Sequence, residues 1–205
     1  MTDRLVLATR NAHKLEELAE ILGASGLDVE LLPLPYDASD VVEDGLTFAE
    51  NALKKARSAA VATGLPSVAD DSGLCVDALN GMPGVFSARW AGTRRDDAGN
   101  LALVLEQTAD VPDESRGAHF TCAAAAALPS GQERVVEGRV DGVLIRTPRG
   151  TGGFGYDPAF LPLGHERTTA EMSNDEKNAI SHRGEAFRAL APVLRELLGS
   201  HPRAR

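Results

Sequence analysis

Cysteine is scarce in this chain: only Cys75 and Cys122 occur. Two thiols so placed make neither a metal-ligand spacing nor a disulfide framework. Both stand in apolar runs, where a buried thiol is the expected state. Apolar stretches long enough to cross a bilayer are also missing. Met1-Thr2-Asp3-Arg4 carries no basic segment ahead of a long apolar region, so no secretory signal is expected and the cytoplasm is the expected location. Basic residues are outnumbered, with 21 Lys and Arg against 30 Asp and Glu and a net charge of −9. That balance argues against a protein that grips long nucleic acid through many cationic contacts. A small anionic ligand stays open, because a few local cations can hold a phosphate chain.

What is present suits a globular enzyme. A chain of 205 residues with 43% hydrophobic content can bury a sizeable core, with room for two lobes. No internal repeat or linker divides it, so residues 1–205 read as one domain, with a disordered tail over 199–205. The central stretch is Ala69-Asp70-Asp71-Ser72-Gly73. An apolar run leads into two carboxylates, and Leu74-Cys75-Val76 follows. The pattern predicts a strand delivering acids to a tight turn. Neighbouring strand residues point to opposite faces, so Asp70 and Asp71 are expected to do different jobs. Carboxylates at such a position suit a hard cation, and one of them can serve as general base toward a water. An Asx-turn explains the same residues without chemistry.

The first elements read as an anion site. Leu5 to Ala8 is a short buried strand by content. Leu15, Leu18, Ile21 and Leu22 then mark one face of a helix that Gly23 and Gly26 end. The loop between them, Thr9-Arg10-Asn11-Ala12-His13-Lys14, presents a helix N-terminus, a hydroxyl, an amide and a charge to any anion. Simple capping by Thr9 or Asn11 is the competing reading. Val29 to Leu32 predicts a second strand. The acidic loop over 33–45 follows it and carries Glu43, either a solvated charge or a metal ligand. Thr47-Phe48-Ala49-Glu50 has capping-box form and opens an Ala-rich helix to about Ala62. Glu50 and Lys54 can pair on its surface. Lys55 lies at the edge of its small-residue face, where it snorkels or points into a cleft.

The second half is richer in strands and turns. Asp96 to about Thr108 predicts a helix. The lone Trp90 reads as core or interface. His119 to Leu128 and Glu133 to Leu144 flank the turn Pro129-Ser130-Gly131-Gln132 and predict a long hairpin, with Ala123 to Ala127 as a buried small-residue strand. Gly150-Thr151-Gly152-Gly153-Phe154-Gly155 has dinucleotide-fingerprint spacing, but Tyr156-Asp157-Pro158 follows where that fingerprint requires a helix. A loop that lets backbone approach a ligand, with Phe154 and Tyr156 to stack on a base, fits better. Ser173-Asn174-Asp175-Glu176 opens a helix bearing Lys177. His182 and Arg183 precede an amphipathic C-terminal helix marked by Phe187, Leu190, Val193, Leu194 and Leu197.

Five blocks in one order resemble a known family. They are Thr9 to Lys14, Gly45 to Ala52, Asp70 to Leu74, Gly152 to Pro158 and Ala179 to Gly184. Together they are similar to the inosine/xanthosine triphosphate pyrophosphatases, which remove deaminated purine nucleotides. The resemblance runs from Leu5 to about Leu198, with Arg10 standing where many relatives carry glycine. It implies an α/β fold with a long bent mixed β-sheet flanked by helices, two lobes and a central cleft. It implies a homodimer that needs Mg²⁺ and splits ITP, dITP and XTP into monophosphate and pyrophosphate. Carried over by position, Thr9, Arg10, Asn11, Ala12, His13 and Lys14 hold the phosphates with help from Lys55. Glu43 and Asp71 meet Mg²⁺, Asp71 is the general base and Ser72 touches substrate. Phe154, Gly155, Tyr156, Asp157, Lys177, His182 and Arg183 form the base pocket. Donors facing the 6-oxo group of hypoxanthine or xanthine would be left unpaired by the 6-amino group of adenine. A related enzyme for modified pyrimidine nucleotides and a nucleotide-binding regulator without turnover are the other readings.

Overall fold

The computed structural model describes residues 3–10, 12–92 and 96–200, with the side chains of 12–14, 17 and 200 outside the description. In chain order the elements are β1 (Asp3–Leu7), α1 (Ala12–Ala24), β2 (Val29–Pro33), α2 (Phe48–Thr63), β3 (Ser67–Val76), β4 (Met82–Pro83), α3 (Asp97–Gln107), β5 (Gly117–Ala127), β6 (Glu133–Leu144), β7 (Phe160–Pro162), α4 (Asn174–Ile180) and α5 (His182–Ser200). Among the described residues the seven strands form one sheet in the order β2-β1-β3-β5-β6-β7, with β4 beside β3. β1 runs parallel to β2 and β3, whereas β4 is antiparallel to β3 and β7 to β6. The sheet is therefore mixed, and the protein is α/β. Among the described residues no helix is long and apolar enough to cross a membrane.

The chain resolves into two compact units. One comprises Met1–Asp71, Cys122–Gly138 and Arg183–Arg205; the other comprises Ser72–Thr121 and Arg139–His182. In the first unit β5 is buried on both faces. Cys122, Ala124 and Ala126 pack with Leu5, Val68, Phe187 and Leu190, while Ala123, Ala125 and Ala127 pack with Ala52, Ala56 and Ala60 of α2. Side chains alternate along a strand, so a strand covered on both sides reads as a continuous apolar run. That is why the alanine run is strand despite its helical propensity. The second unit has its own core, in which Leu74, Val76, Val104, Leu144, Tyr156 and Phe160 are buried. Both cysteines are buried.

Three expectations need correction. Asp70-Asp71-Ser72-Gly73 lies inside β3 and does not form a turn at its end. Gly73 serves close approach: a Cβ there would sit 2.5 Å from Gly84 O and against the Ser87 side chain, while the next amide, Leu74 N–H, donates to Ser87 Oγ at 2.9 Å. Lys54 pairs with Asp44 in place of Glu50. Glu50 is already committed, because its Oε2 accepts from Leu46 N–H at 2.6 Å. Tyr156, expected to stack on a base, is 4% exposed, and its hydroxyl donates to Ser87 O at 2.8 Å. Its ring fills the core of the second unit. The disorder expected over 199–205 falls largely on 201–205, outside the described residues.

Candidate active site

The first unit gathers acids around one lysine. Thr47 caps α2 by accepting from Glu50 N–H at 3.1 Å, which fixes where the helix begins. Lys55 then lies two turns along, with its side chain 18% exposed. Its Nζ donates to Glu43 Oε1 at 2.7 Å and lies 3.4 Å from Asp71 Oδ1. The residue at the edge of the small face therefore points inward at two carboxylates. Asn51, 1% exposed, completes the group. Its Nδ2 donates to Asp71 Oδ2 at 3.0 Å and its Oδ1 accepts from Gly45 N–H at 2.8 Å. Asn51 was not singled out from the sequence as a site residue. Its signal was a polar amide on the same stripe of α2 as buried Ala52, Ala56 and Ala59.

The electrostatics follow from burial. Burial pushes the Asp71 carboxyl above the ordinary aspartate range, against the pull of Lys55 and Asn51. The Lys55 ammonium is also held above its ordinary value: burial works against it, but Asp71, Glu43 and Asp70 outweigh that penalty. Asp70 does a different job from its neighbour, as alternation along β3 requires. It is buried and accepts from Arg183 Nε at 3.1 Å, with both side chains nearly enclosed.

Arg10 is tied to the acidic loop. Its guanidinium donates to Asp40 Oδ1 at 2.8 Å, to Tyr36 O at 3.3 Å and to Ala38 O, and it lies 6.0 Å from the Tyr36 ring centroid. Thr9 holds the other side of that loop, because its carbonyl accepts from Leu34 N–H at 3.1 Å. The expected phosphate contacts of Asn11, and of the Ala12, His13 and Lys14 side chains, lie outside the described residues.

The second unit holds an aromatic and cationic pocket. Phe120, Asp157, Thr169, Lys177, Ser181 and His182 contribute to its lining. Ser173 and Glu176 form a complete capping box that starts α4 and sets the position of Lys177. Lys177 Nζ donates to Asp157 Oδ2 at 2.6 Å and lies 4.7 Å from the Phe154 ring centroid. Asp157 is the hub. It also accepts from Phe154 N–H at 2.8 Å and from Thr169 Oγ1 at 2.9 Å. Gly153 (φ +69°) passes so close that a Cβ would collide with the Asp157 carboxylate. The glycine run is thus wrapped around a buried acid and opens no long helix. Gly155 N–H donates to Asp97 Oδ2 at 3.1 Å, and Phe154 remains 62% exposed. Ser72 lies in this unit on β3.

A divalent cation fits the first group on chemistry. Glu43 and Asp71 already converge on the positive charge of Lys55, and their donors are hard oxygens. Among the described residues no cluster of three or more His, Cys, Asp or Glu side chains gathers as a metal site. Two carboxylates suffice for an ion that takes its remaining ligands from water and phosphate, as Mg²⁺ does.

Mixed α/β topology, an acid pair with a captive lysine, and an aromatic pocket with donors suit a hydrolase that handles nucleotides. The chain belongs to the Ham1 family, whose family model matches residues 5–193. It is 64% identical over 199 residues to the dITP/XTP pyrophosphatase of Streptomyces coelicolor, covering 96% of this chain and 99% of that one. Among solved structures, the nucleoside-triphosphatase, dITP/XTP pyrophosphatase, of Mycobacterium abscessus is 53% identical with a TM-score of 0.79, covering 94% of this chain and all of the other. A HAM1 protein from Coxiella burnetii is 44% identical with a TM-score of 0.88, covering 95% of this chain and all of the other.

Proposed function

We propose that this protein hydrolyses non-standard purine nucleoside triphosphates (dITP, ITP and XTP) to the monophosphate and pyrophosphate, clearing deaminated purines from the nucleotide pool. The observation that carries the chemistry is Lys55 held between Glu43 and Asp71. Asp71 is the general base: it takes a proton from the attacking water, and burial, which raises its carboxyl above the ordinary aspartate range, makes it a stronger base than an exposed aspartate. Asn51 orients the Asp71 carboxylate. Lys55 offsets charge on the phosphate chain, which Thr9, Asn11, Ala12, His13 and Lys14 are assigned to hold with it. Glu43 and Asp71 would hold Mg²⁺, which when bound neutralises the phosphate oxygens and the departing pyrophosphate. Ser72 is a further substrate contact.

The base is assigned to the second unit. Phe154 offers an exposed ring face, and Lys177 and His182 offer donors to a 6-oxo group; Arg183, the third donor expected there, belongs to the first unit, where its Nε donates to Asp70 Oδ2. Adenine would leave such donors unpaired, at about 1–3 kcal/mol each. Roughly tenfold to hundredfold discrimination per donor follows from that cost. Asp157 is assigned to holding Lys177 and the Phe154 loop in place, with Tyr156 behind them. A homodimer completes the proposal, and sedimentation at twice the mass of one chain checks it.

One assay tests the function. ITP, dITP, XTP, GTP, ATP and dTTP are offered with and without Mg²⁺, and the products are identified. Mg²⁺-dependent release of monophosphate and pyrophosphate from the first three is expected. Orthophosphate release would refute the cleavage position, and preference for dTTP would favour a pyrimidine-directed enzyme. Asp71→Asn should lower kcat by at least about a hundredfold while nucleotide binding persists. Near-normal turnover would remove Asp71 from its role.

A further inference from the structure

No sequence motif announces Phe120. It lies on β5, is 8% exposed, and lines the same pocket as Lys177 and His182. Its ring stacks on the His182 imidazole, with centroids 4.9 Å apart and planes 12° from parallel. Phe160 meets Phe120 edge-on, at 4.8 Å and 71°. Phe160 is fully buried on β7 and packs in the core of the second unit. The imidazole therefore rests on a ring that is itself held against a core residue.

That arrangement has a directional consequence. The N–H groups of an imidazole lie in its ring plane, so the plane decides where they can donate. The χ2 torsion of a histidine is broad, and a side chain left to itself samples many planes. A flat ring packed parallel against the imidazole restricts that freedom, because turning the imidazole out of the parallel plane would break the stacked contact seen at 4.9 Å and 12°. Hydrogen bonds weaken steeply once misaligned, so selecting one plane selects which base edge is well bonded.

We propose that Phe120 is a positioning residue: it fixes the plane of His182 and so sets the preference for 6-oxo over 6-amino purines. The inference rests on the reading that His182 donates to the base. Leucine at position 120 keeps apolar volume but has no flat face, whereas tyrosine keeps the face. Leucine should loosen the plane of the imidazole and tyrosine should not.

The experiment compares Phe120→Leu, Phe120→Tyr and His182→Gln with the wild type, using the full-length protein. Kinetics on dITP and dATP are read alongside the His182 Cε1–H resonance of the nucleotide-free protein. In Phe120→Leu the dITP KM should rise about tenfold with kcat within about twofold, and the dITP-to-dATP ratio of kcat/KM should fall about tenfold. The Cε1–H resonance should move downfield as the ring current of Phe120 is lost. Phe120→Tyr should retain the wild-type ratio and resonance. If Phe120→Leu does not fold, Phe120→Met is read by the same measures. A folded Leu or Met variant with an unchanged ratio or an unmoved resonance overturns the proposal. If His182→Gln also leaves the ratio unchanged, the base-pocket reading fails with it. If His182→Gln lowers the ratio and the Phe120 variants do not, only the role of Phe120 is lost.

Discussion

Arg10 shows what a single side chain can reveal once its partners are known. Position in sequence placed it on the phosphate loop, and its charge suited that task. Its guanidinium is instead spread over Asp40, the carbonyls of Tyr36 and Ala38, and the Tyr36 ring. These contacts strap down the loop that carries Glu43 three residues beyond Asp40. Exposed hydrogen bonds contribute little each, so the strap matters less for global stability than for where Glu43 rests. Arg10→Gly should therefore raise the Mg²⁺ concentration for half-maximal activity, by about threefold to tenfold, with kcat at saturating Mg²⁺ near that of the wild type. Titration calorimetry with Mg²⁺ alone should show the same weakening. A raised dITP KM with unchanged Mg²⁺ dependence would return Arg10 to the phosphates.

Elements were the most legible scale. The period of Leu15, Leu18 and Leu22, the cap at Thr47, the box at Ser173 and the hairpin turn before Glu133 each correspond to an observed boundary or element. These signals are local, and local chemistry suffices to place them. What escaped the sequence is long-range. Gly73 looked like a turn because the Ser87 loop that presses on it lies far along the chain. Tyr156 looked available because nothing nearby shows that its hydroxyl reaches Ser87 O. Arg57 is another such case. Its guanidinium grips both oxygens of Glu133, from 76 residues away, and joins α2 to β6 in the first unit. The Arg57 hydrogen bond holds the Glu133 carboxyl below its ordinary value of 4.5, against a smaller opposing effect of burial. A carboxyl lowered in the folded state stabilises above its unfolded pKa, and that contribution is lost as pH falls through the folded value. Glu133→Gln should cost about 0.2–1 kcal/mol in urea unfolding near neutral pH. The gap to the wild type should narrow as pH falls below the ordinary glutamate value of 4.5 and through the lower folded value. A gap that persists in acid would mean that the pair acts through packing and not through charge.

For the whole molecule, charge decides which phosphates are welcome. The net charge is −9, yet Lys55 and Lys177 are each enclosed and paired with carboxylates. Surface cations such as Arg57, Arg139, Arg146 and Arg167 are likewise engaged with acids. A polynucleotide needs many cations along a surface, and its affinity falls steeply with salt because each neutralised phosphate releases counterions. A triphosphate needs only a few at one place, and Mg²⁺ supplies part of the compensation. Single-stranded DNA or heparin, added at phosphate concentrations that saturate with dITP, should therefore not inhibit turnover. The logarithm of kcat/KM for dITP should fall with log salt at a slope of about −1 to −2, well short of the slopes near −10 of extended polyanion binders. Strong inhibition by heparin with a steep salt slope would mean that the acidic surface hides a basic track, and the assignment to free nucleotides would have to be widened.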